Sequence, residues 1–446
     1  MIGTAVVIGA SFAGLLAGTA AAQTGYDVVV LERDDLPLVP QPRAGVPQSP
    51  QPHVLLRRGL LAIDGLLPGV GAELLRRGGV PFNTGQMPWL GEFGWSPLHE
   101  WAYEIISISR PLLEKVVRDR VMALTEVQLR TGSTVTRLRR ASAGWEVVLR
   151  DGGTVTADVV IDASGRGSRL PHWLAELDVP VPAPAEVEAR VGYACRSYRG
   201  RLALHTGVMV AATPEIPVGG LALPVEDDRW LICTVGFGEH RPTRDVAEFE
   251  AFLAGLRDPA LTDLAAGLAP EGDVAIHRQT SNRRYAYGTT RSWPAGLLVV
   301  GDAMCAFDPI YGQGITVSAC QAELLAAGLR RRPTTAVATR RLQRRLAAVA
   351  DLPWSVATSE DLRMPSSAGQ QNLGQRALGH WTRRMVRLAA GGDEACARAF
   401  SAVYHLMGSP AHLLGPRVVR SVLRSLVRGV PEPAPRPAVL ATLNRR

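Results

Sequence analysis

The 446-residue chain is 46% hydrophobic and 20% charged, enough to bury a sizeable core in two or three domains. Its net charge of +8 and pI near 9.6 come almost entirely from arginine, since Lys115 is the only lysine, and no basic block interleaves with aromatics, which argues against nucleic acid as a partner. Cys195, Cys233, Cys305, Cys320 and Cys396 fall at no metal-ligand or redox-pair spacing, and no apolar run approaches the roughly 20 residues of a membrane helix, so the expectation is a soluble protein of a reducing cytoplasm.

In chain order, Ala5 to Ile8 reads as a buried strand, Gly14 to Gln23 as a small-residue helix and Asp27 to Leu31 as a second buried strand, a βαβ unit. Ser109-Arg110-Pro111 opens a helix on which Leu113, Val116, Val117 and Val121 keep a helical period. Trp145 to Leu149, the turn Asp151-Gly152-Gly153 and Thr154 to Ile161 predict a hairpin. From Val191 to Phe237 the pattern becomes β-rich, with runs at Leu202 to Leu204, Gly220 to Leu223 and Arg229 to Val235. Leu297 to Val300 returns to a continuous apolar strand, followed by a glycine-rich turn and a helix from Thr316 to Leu329, so the first domain is expected to resume after an insertion. Residues 1–80, 100–175 and 285–335 are assigned to a dinucleotide-binding domain, 81–99 and 176–284 to an inserted β-sheet substrate domain, 336–430 to a helical region and 431–446 to a proline-rich disordered tail.

The first strand runs into Gly9-Ala10-Ser11-Phe12-Ala13-Gly14, which opens the first helix, and Glu32 and Arg33 follow the second strand. This is where a dinucleotide loop belongs. Gly9 permits the tight turn, Gly14 allows close packing, the helix N-terminus offers N–H groups and a positive dipole end to a pyrophosphate, and Glu32 can accept from a ribose. Ser11 stands where the fingerprint has its middle glycine. The loop alone does not separate FAD from NAD.

Two later motifs carry a resemblance. Leu298-Val299-Val300-Gly301-Asp302-Ala303, with Asp308-Pro309 and Gly312-Gln313-Gly314, resembles the second FAD motif of the group A, aromatic hydroxylase-like monooxygenases. Asp162-Ala163-Ser164-Gly165-Arg166-Gly167-Ser168-Arg169 resembles their third motif, with Ala163 in place of a glycine. The resemblance implies an α/β fold: a Rossmann-like FAD-binding domain of the glutathione reductase/hydroxybenzoate hydroxylase type, an inserted β-sheet substrate domain and a C-terminal helical region. Carried over position by position, it implies FAD contacts from Gly9, Ser11, Phe12, Ala13, Gly14, Glu32, Arg33, Arg43, Arg110, Val135, Asp162, Asp302, Pro309, Gly312, Gln313 and Gly314.

Within that superfamily the chain is similar to the actinobacterial branch of polyether alkene epoxidases and FAD-bearing [4+2] cyclases. That likeness rests on Gly45-Val46-Pro47-Gln48, His53, Ser109-Arg110-Pro111-Leu112-Leu113-Glu114, Gly165-Arg166-Gly167-Ser168-Arg169, Trp293-Pro294-Ala295-Gly296 and Tyr311-Gly312-Gln313-Gly314. Pro50, Gln51 and Pro52 depart from its usual pattern before His53. The implied activity is a monooxygenase or epoxidase acting on an apolar polyketide or terpenoid intermediate, in which NAD(P)H reduces FAD and a flavin C4a-hydroperoxide delivers oxygen. The alternative is a non-redox cyclase that uses FAD as a wall of its pocket. Halogenation ranks behind both, because no Trp-x-Trp-x-Ile-Pro phrase is present. His53 is the one candidate catalytic residue, and Trp89, Trp95, Trp230 and Phe237 are candidate substrate-pocket walls. Glu226, Asp227 and Asp228 read as a solvated hairpin turn. Arg417, Arg420, Arg424 and Arg428 opposite Val418, Val419, Val422, Leu423 and Leu426 make a basic amphipathic helix that either packs on the protein itself or touches a membrane surface.

Overall fold

The computed structural model describes residues 2–333 and 335–443. Its central layer is a five-stranded parallel sheet in the order Leu297–Val299, Val159–Asp162, Thr4–Ile8, Asp27–Leu31 and Val127–Arg130. Strands covered on both faces must be apolar throughout, which is why Asp27–Leu31 reads DVVVL rather than alternating. One face carries the Phe12–Ala22, Arg110–Met122 and Gly314–Leu329 helices. The other face packs on an antiparallel three-stranded sheet of Val135–Arg140, Trp145–Leu149 and Thr154–Ala157. The first helix can lie this close because it is built from small residues, and a Cβ on Gly18 would come within 3.2 Å of Val30 Cγ2. This is the α/β fold, with its Rossmann-like layer, that the motifs imply.

A second, seven-stranded sheet runs in the order Ala269–His277, Val191–Arg199, Arg229–Phe237, Val218–Val225, Val208–Val210, Trp89–Gly91 and Gly94–Trp95. Helices Ala336–Ala348, Asp351–Asp361, Leu373–Ala390, Glu394–Tyr404 and Pro416–Arg428 form the C-terminal region. No described helix is long and apolar enough to cross a membrane.

Three sequence expectations need correction. The second hairpin arm does not run unbroken to Ile161: Thr154–Ala157 pairs with Trp145–Leu149, whereas Val159–Asp162 joins the parallel sheet. Asp158 makes the switch, donating its N–H to the Thr4 carbonyl and accepting from the Thr4 N–H at 2.7 Å. Leu202 to Leu204 is not a strand; it is a loop whose apolar side chains drop into the second sheet's core. The tail after Pro431 is packed as far as it is described: Ala434 pairs with Trp95, Arg436 meets Asp258 at 3.0 Å, and Leu440 and Leu443 are buried. Alternating prolines hold this stretch extended, so two leucines suffice to dock it.

Candidate functional site

A large cavity of about 1530 Å³ runs from the loops at the C-terminal edge of the parallel sheet to one face of the seven-stranded sheet. Such an edge is where open α/β sheets bind ligands. Among the residues singled out from sequence, Gly9, Ser11, Phe12, Ala13, Glu32, Arg33, Arg43, His53, Arg110, Val135, Asp302, Pro309, Gly312, Gln313 and Gly314 all line it. The parallel register brings the stretches after Ile8, Leu31 and Val299 to one edge, and the start of the Arg110–Met122 helix and Val135 of the antiparallel sheet close on it from the side.

The turn after the first strand needs its glycines. Gly9 has φ +101°, and a Cβ on Gly14 would meet the Gly9 carbonyl oxygen at 1.8 Å. Glu32 accepts from the Ala10 N–H at 2.8 Å and from Asp34 N–H at 3.1 Å, tying the turn to the end of the second strand. Arg43 is buried among three carboxylates, 2.9 Å from Glu114, 2.8 Å from Asp34 and 3.6 Å from Glu32. Arg110, also buried, donates to Ser11 Oγ at 2.8 Å and stacks its guanidinium 4.3 Å from the Phe12 ring. Burial pushes the Arg110 pKa down while Glu114 holds it up.

Asp162 does not line the cavity. It is fully buried and accepts from Ser164 N–H, Ser164 Oγ and Ser168 Oγ at 3.0, 2.6 and 2.5 Å, shaping the Ala163–Arg169 loop that does line it. Arg166 on that loop donates to the Phe307 and Ser281 carbonyls and lies 4.0 Å from Asp302. Gly14 likewise acts by close packing rather than at the cavity surface.

At the far end Trp89 and Phe237 form part of the wall, whereas Trp95 and Trp230 do not. The latter two belong to the second sheet's core with Tyr198 and Phe249, because their strand positions point away from the cavity. His53 is partly buried; its Nδ1 lies 2.8 Å from the Gln51 carbonyl oxygen, and desolvation lowers its pKa to about 3, so the ring is neutral near pH 7. Gln51 is fixed by the Ala275 carbonyl at 3.0 Å and by the Cys233 thiol.

Sequence reasoning missed a polar group on this wall. Tyr193 donates to Asp308 Oδ1 at 2.5 Å, Asp308 N–H donates to Asn282 Oδ1 at 2.9 Å, and Asn282 reaches Asp361, which also accepts from Tyr311 at 2.9 Å. Burial raises both carboxyl pKa values, and repulsion from Asp308 raises that of Asp361 further. Only the Asp308-Pro309 dipeptide hinted at it, since its partners come from residues 193 to 361. Glu226 is a further correction: Asp227 and Asp228 are exposed, but Glu226 is buried and accepts from Ser109 N–H at 2.9 Å and Ser109 Oγ at 2.5 Å.

The cavity fits a flavin dinucleotide on four observations. The helices Phe12–Ala22 and Gly314–Leu329 both open without a side-chain cap, leaving N–H groups and positive dipole ends toward the cavity. Gly165, Gly167 and Gly314 have nothing within 4 Å of where a Cβ would stand, a smooth surface along which a flat molecule can lie. Buried Gln313 Oε1 and Arg110 Nε have no hydrogen-bond partner among the described residues. Asp302 faces the cavity, 4.0 Å from Arg166 and close enough to Arg110 to hold its pKa up.

The comparisons agree with this geometry. A protein from Mycobacterium tuberculosis, Protein Rv3254, is 33% identical over 352 residues, covering 74% of this chain and 73% of its own. The Diels-Alderase PyrE3 of pyrroindomycin biosynthesis superposes with TM-score 0.61 at 18% identity, over 90% of this chain and 80% of that one. PqsL, a probable FAD-dependent monooxygenase from Pseudomonas aeruginosa, gives 0.60 at 17%, over 81% and 97%. The flavin-dependent halogenase CmlS gives 0.61 at 18%, over 96% and 78%. These structures share the fold and differ in chemistry. Residues 3–342 match the FAD binding domain family model, and with the uncapped helix ends and glycine surfaces converging on one cleft, the chain belongs to that family.

Proposed function

We propose that the protein is an FAD-dependent monooxygenase acting on an apolar small molecule of polyketide or terpenoid type, with NAD(P)H as reductant. The carrying observation is capacity: a cavity of about 1530 Å³ exceeds the roughly 300–1,000 Å³ typical of one ligand, so it takes a dinucleotide and a second molecule together. Gly9, Ser11 and Arg43 would hold the pyrophosphate side, Glu32 a ribose, Arg110 and Asp302 the ribityl region, and Gly312 to Gly314 the edge of the ring. A bound flavin supplies electron transfer and dioxygen activation.

The chain's own residues then have the tasks of positioning and drying. Trp89, Met209, Leu223, Phe237 and Met364 contribute apolar wall to the chamber, which suits an apolar substrate. His53, neutral and fixed through Nδ1, presents an acceptor without adding charge. Halogenation, for which a catalytic lysine would be expected, is disfavoured because the sole lysine, Lys115, pairs with Asp119 at 2.6 Å and is not among the residues lining this cavity.

The same capacity supports a second reading, a cyclase that folds a long polyene against the flavin. Substrate-stimulated NAD(P)H oxidation in air carries the first reading; product formation under strict anaerobiosis without NAD(P)H carries the second. Both require a yellow protein. Asp302→Ala is expected to lower flavin retention at least tenfold, and unchanged flavin absorbance in that variant counts against the assignment.

A further inference from the structure

Charge is unevenly spread along this chain. Residues 373–428 hold nine arginines against two carboxylates, Asp393 and Glu394, so this stretch alone accounts for seven of the eight net positive charges. Arg417, Arg420, Arg424 and Arg428 follow one another about once per turn on the Pro416–Arg428 helix, which contains no acidic residue. None of the four has an ion-pair or hydrogen-bond partner among the described residues.

That helix is seated by one narrow stripe only. Val418, Val422 and Ser425 are buried against the Leu373–Ala390 and Glu394–Tyr404 helices. Leu423, Leu426 and Val427 are 55%, 63% and 89% exposed, an apolar row between the buried stripe and the arginines. A helix that has already seated its core face has no structural use for a second apolar row beside unpaired cations. The cavity described above reaches the surface on the same helical region: Leu378, Phe400 and Leu414 line it and are also solvent-exposed, and Leu414 is separated from the arginine-bearing helix by Gly415 alone.

We propose that this face docks on an anionic phospholipid bilayer, with the arginines on the headgroups and Leu423, Leu426 and Val427 at the acyl boundary, so that an apolar substrate enters the chamber from the membrane. The arginine row supplies attraction to negative lipid, and the apolar row supplies burial that works only at an interface. An acidic protein surface would meet the arginines but has no equal use for an apolar chamber rim beside them. Docking rests on the outer surface of the C-terminal helices and not on the flavin assignment, whereas substrate entry rests on the proposed apolar-substrate reading of the chamber.

The test is co-sedimentation of the full chain with vesicles of phosphatidylcholine alone or with added phosphatidylglycerol, at about 0.1 M and about 0.5 M sodium chloride. Wild type is expected to sediment with the anionic vesicles at low salt, to be released at high salt and to ignore the neutral ones. Each arginine replaced by glutamine at 417, 420, 424 or 428 should lower the partition about fivefold. The pair Leu426→Ser and Val427→Ser should lower it at unchanged charge. All six positions are at the surface, and unchanged circular dichroism certifies the fold of each variant. Wild type left in the supernatant with both vesicle types, retention by an acidic protein but not by vesicles, or a quadruple glutamine variant that binds as wild type does, each overturns the proposal. A colourless protein that still sediments would sink the flavin reading and leave the docking standing.

Discussion

The Ser11 hydroxyl sits between two groups of opposite charge: it accepts from Arg110 Nη2 at 2.8 Å and donates to Glu114 Oε2 at 3.0 Å. The residue that breaks the glycine fingerprint thus ties the dinucleotide turn to the Arg110–Met122 helix. Its hydroxyl joins a buried network in place of the bare backbone that a glycine would offer.

From this relationship Arg110→Ala and Ser11→Gly should differ. Losing the guanidinium removes a buried charged donor beside the proposed ribityl region and should weaken flavin binding about tenfold to a hundredfold. Ser11→Gly restores the fingerprint, should bind flavin about as wild type does, and should cost roughly 1 kcal/mol of stability. Flavin titration with thermal melting checks both; equal loss of flavin in the two variants contradicts the arrangement.

Gly9→Ala tests the turn itself. At φ +101° an added Cβ would sit 2.7 Å from the Ala163 carbonyl oxygen, so backbone strain and a clash coincide. A loss of about 1–3 kcal/mol in denaturant unfolding is expected, with reduced flavin content on purification.

Glu226 offers a test far from the cleft in sequence. Its carboxylate holds both the N–H and the hydroxyl of Ser109, the cap of the helix that carries Arg110, and also pairs with Arg229 at 2.7 Å. Glu226→Ala should destabilise by about 3–5 kcal/mol and loosen flavin binding in parallel, while Glu226→Gln should lose less because it keeps one acceptor. Melting temperatures within a degree or so of wild type for both variants would show that the anchor is dispensable.

His405 sets a pH dependence. Buried beside Thr84, with its Nδ1 accepting from the Arg57 N–H at 3.3 Å, it has a pKa lowered by burial to about 4. The unfolded chain therefore takes up this proton first as pH falls below about 6.5, and the native state is disfavoured until pH reaches about 4. The contribution is complete above the unfolded value and should fall by roughly 3 kcal/mol across that window. Urea midpoints of wild type and His405→Gln at pH 7 and pH 4.5 should converge as wild type loses the larger share; parallel losses would count against it.

Much of the architecture was legible from residues close together in the chain. The run DVVVL, the glycines at 9 and 14, and the glycine turn at 312 to 314 each express a constraint met within a few residues: two covered faces, a positive φ, a helix end left open. Ser109-Arg110-Pro111 marked its helix start for the same reason, and the hydroxyl of Ser109 does accept from the Leu112 N–H.

What tertiary structure decided was which side of an element faces what. Trp89 and Phe237 reach the cavity and Trp95 and Trp230 do not, because strand alternation becomes informative only once the covered face is known. Glu226 looked like one of three solvated acids until its strand was laid beside Ser109, 117 positions away. The tail after Pro431 looked structureless because its composition says nothing of the groove that receives Leu440. By itself the sequence determined the local geometry of the dinucleotide turn and the order of the strands' hydrophobic runs. Only the packed chain decided the chamber's walls, the Tyr193–Asp308–Asn282–Asp361 group and the exposed apolar row, since each depends on distances between residues that sequence spacing does not encode.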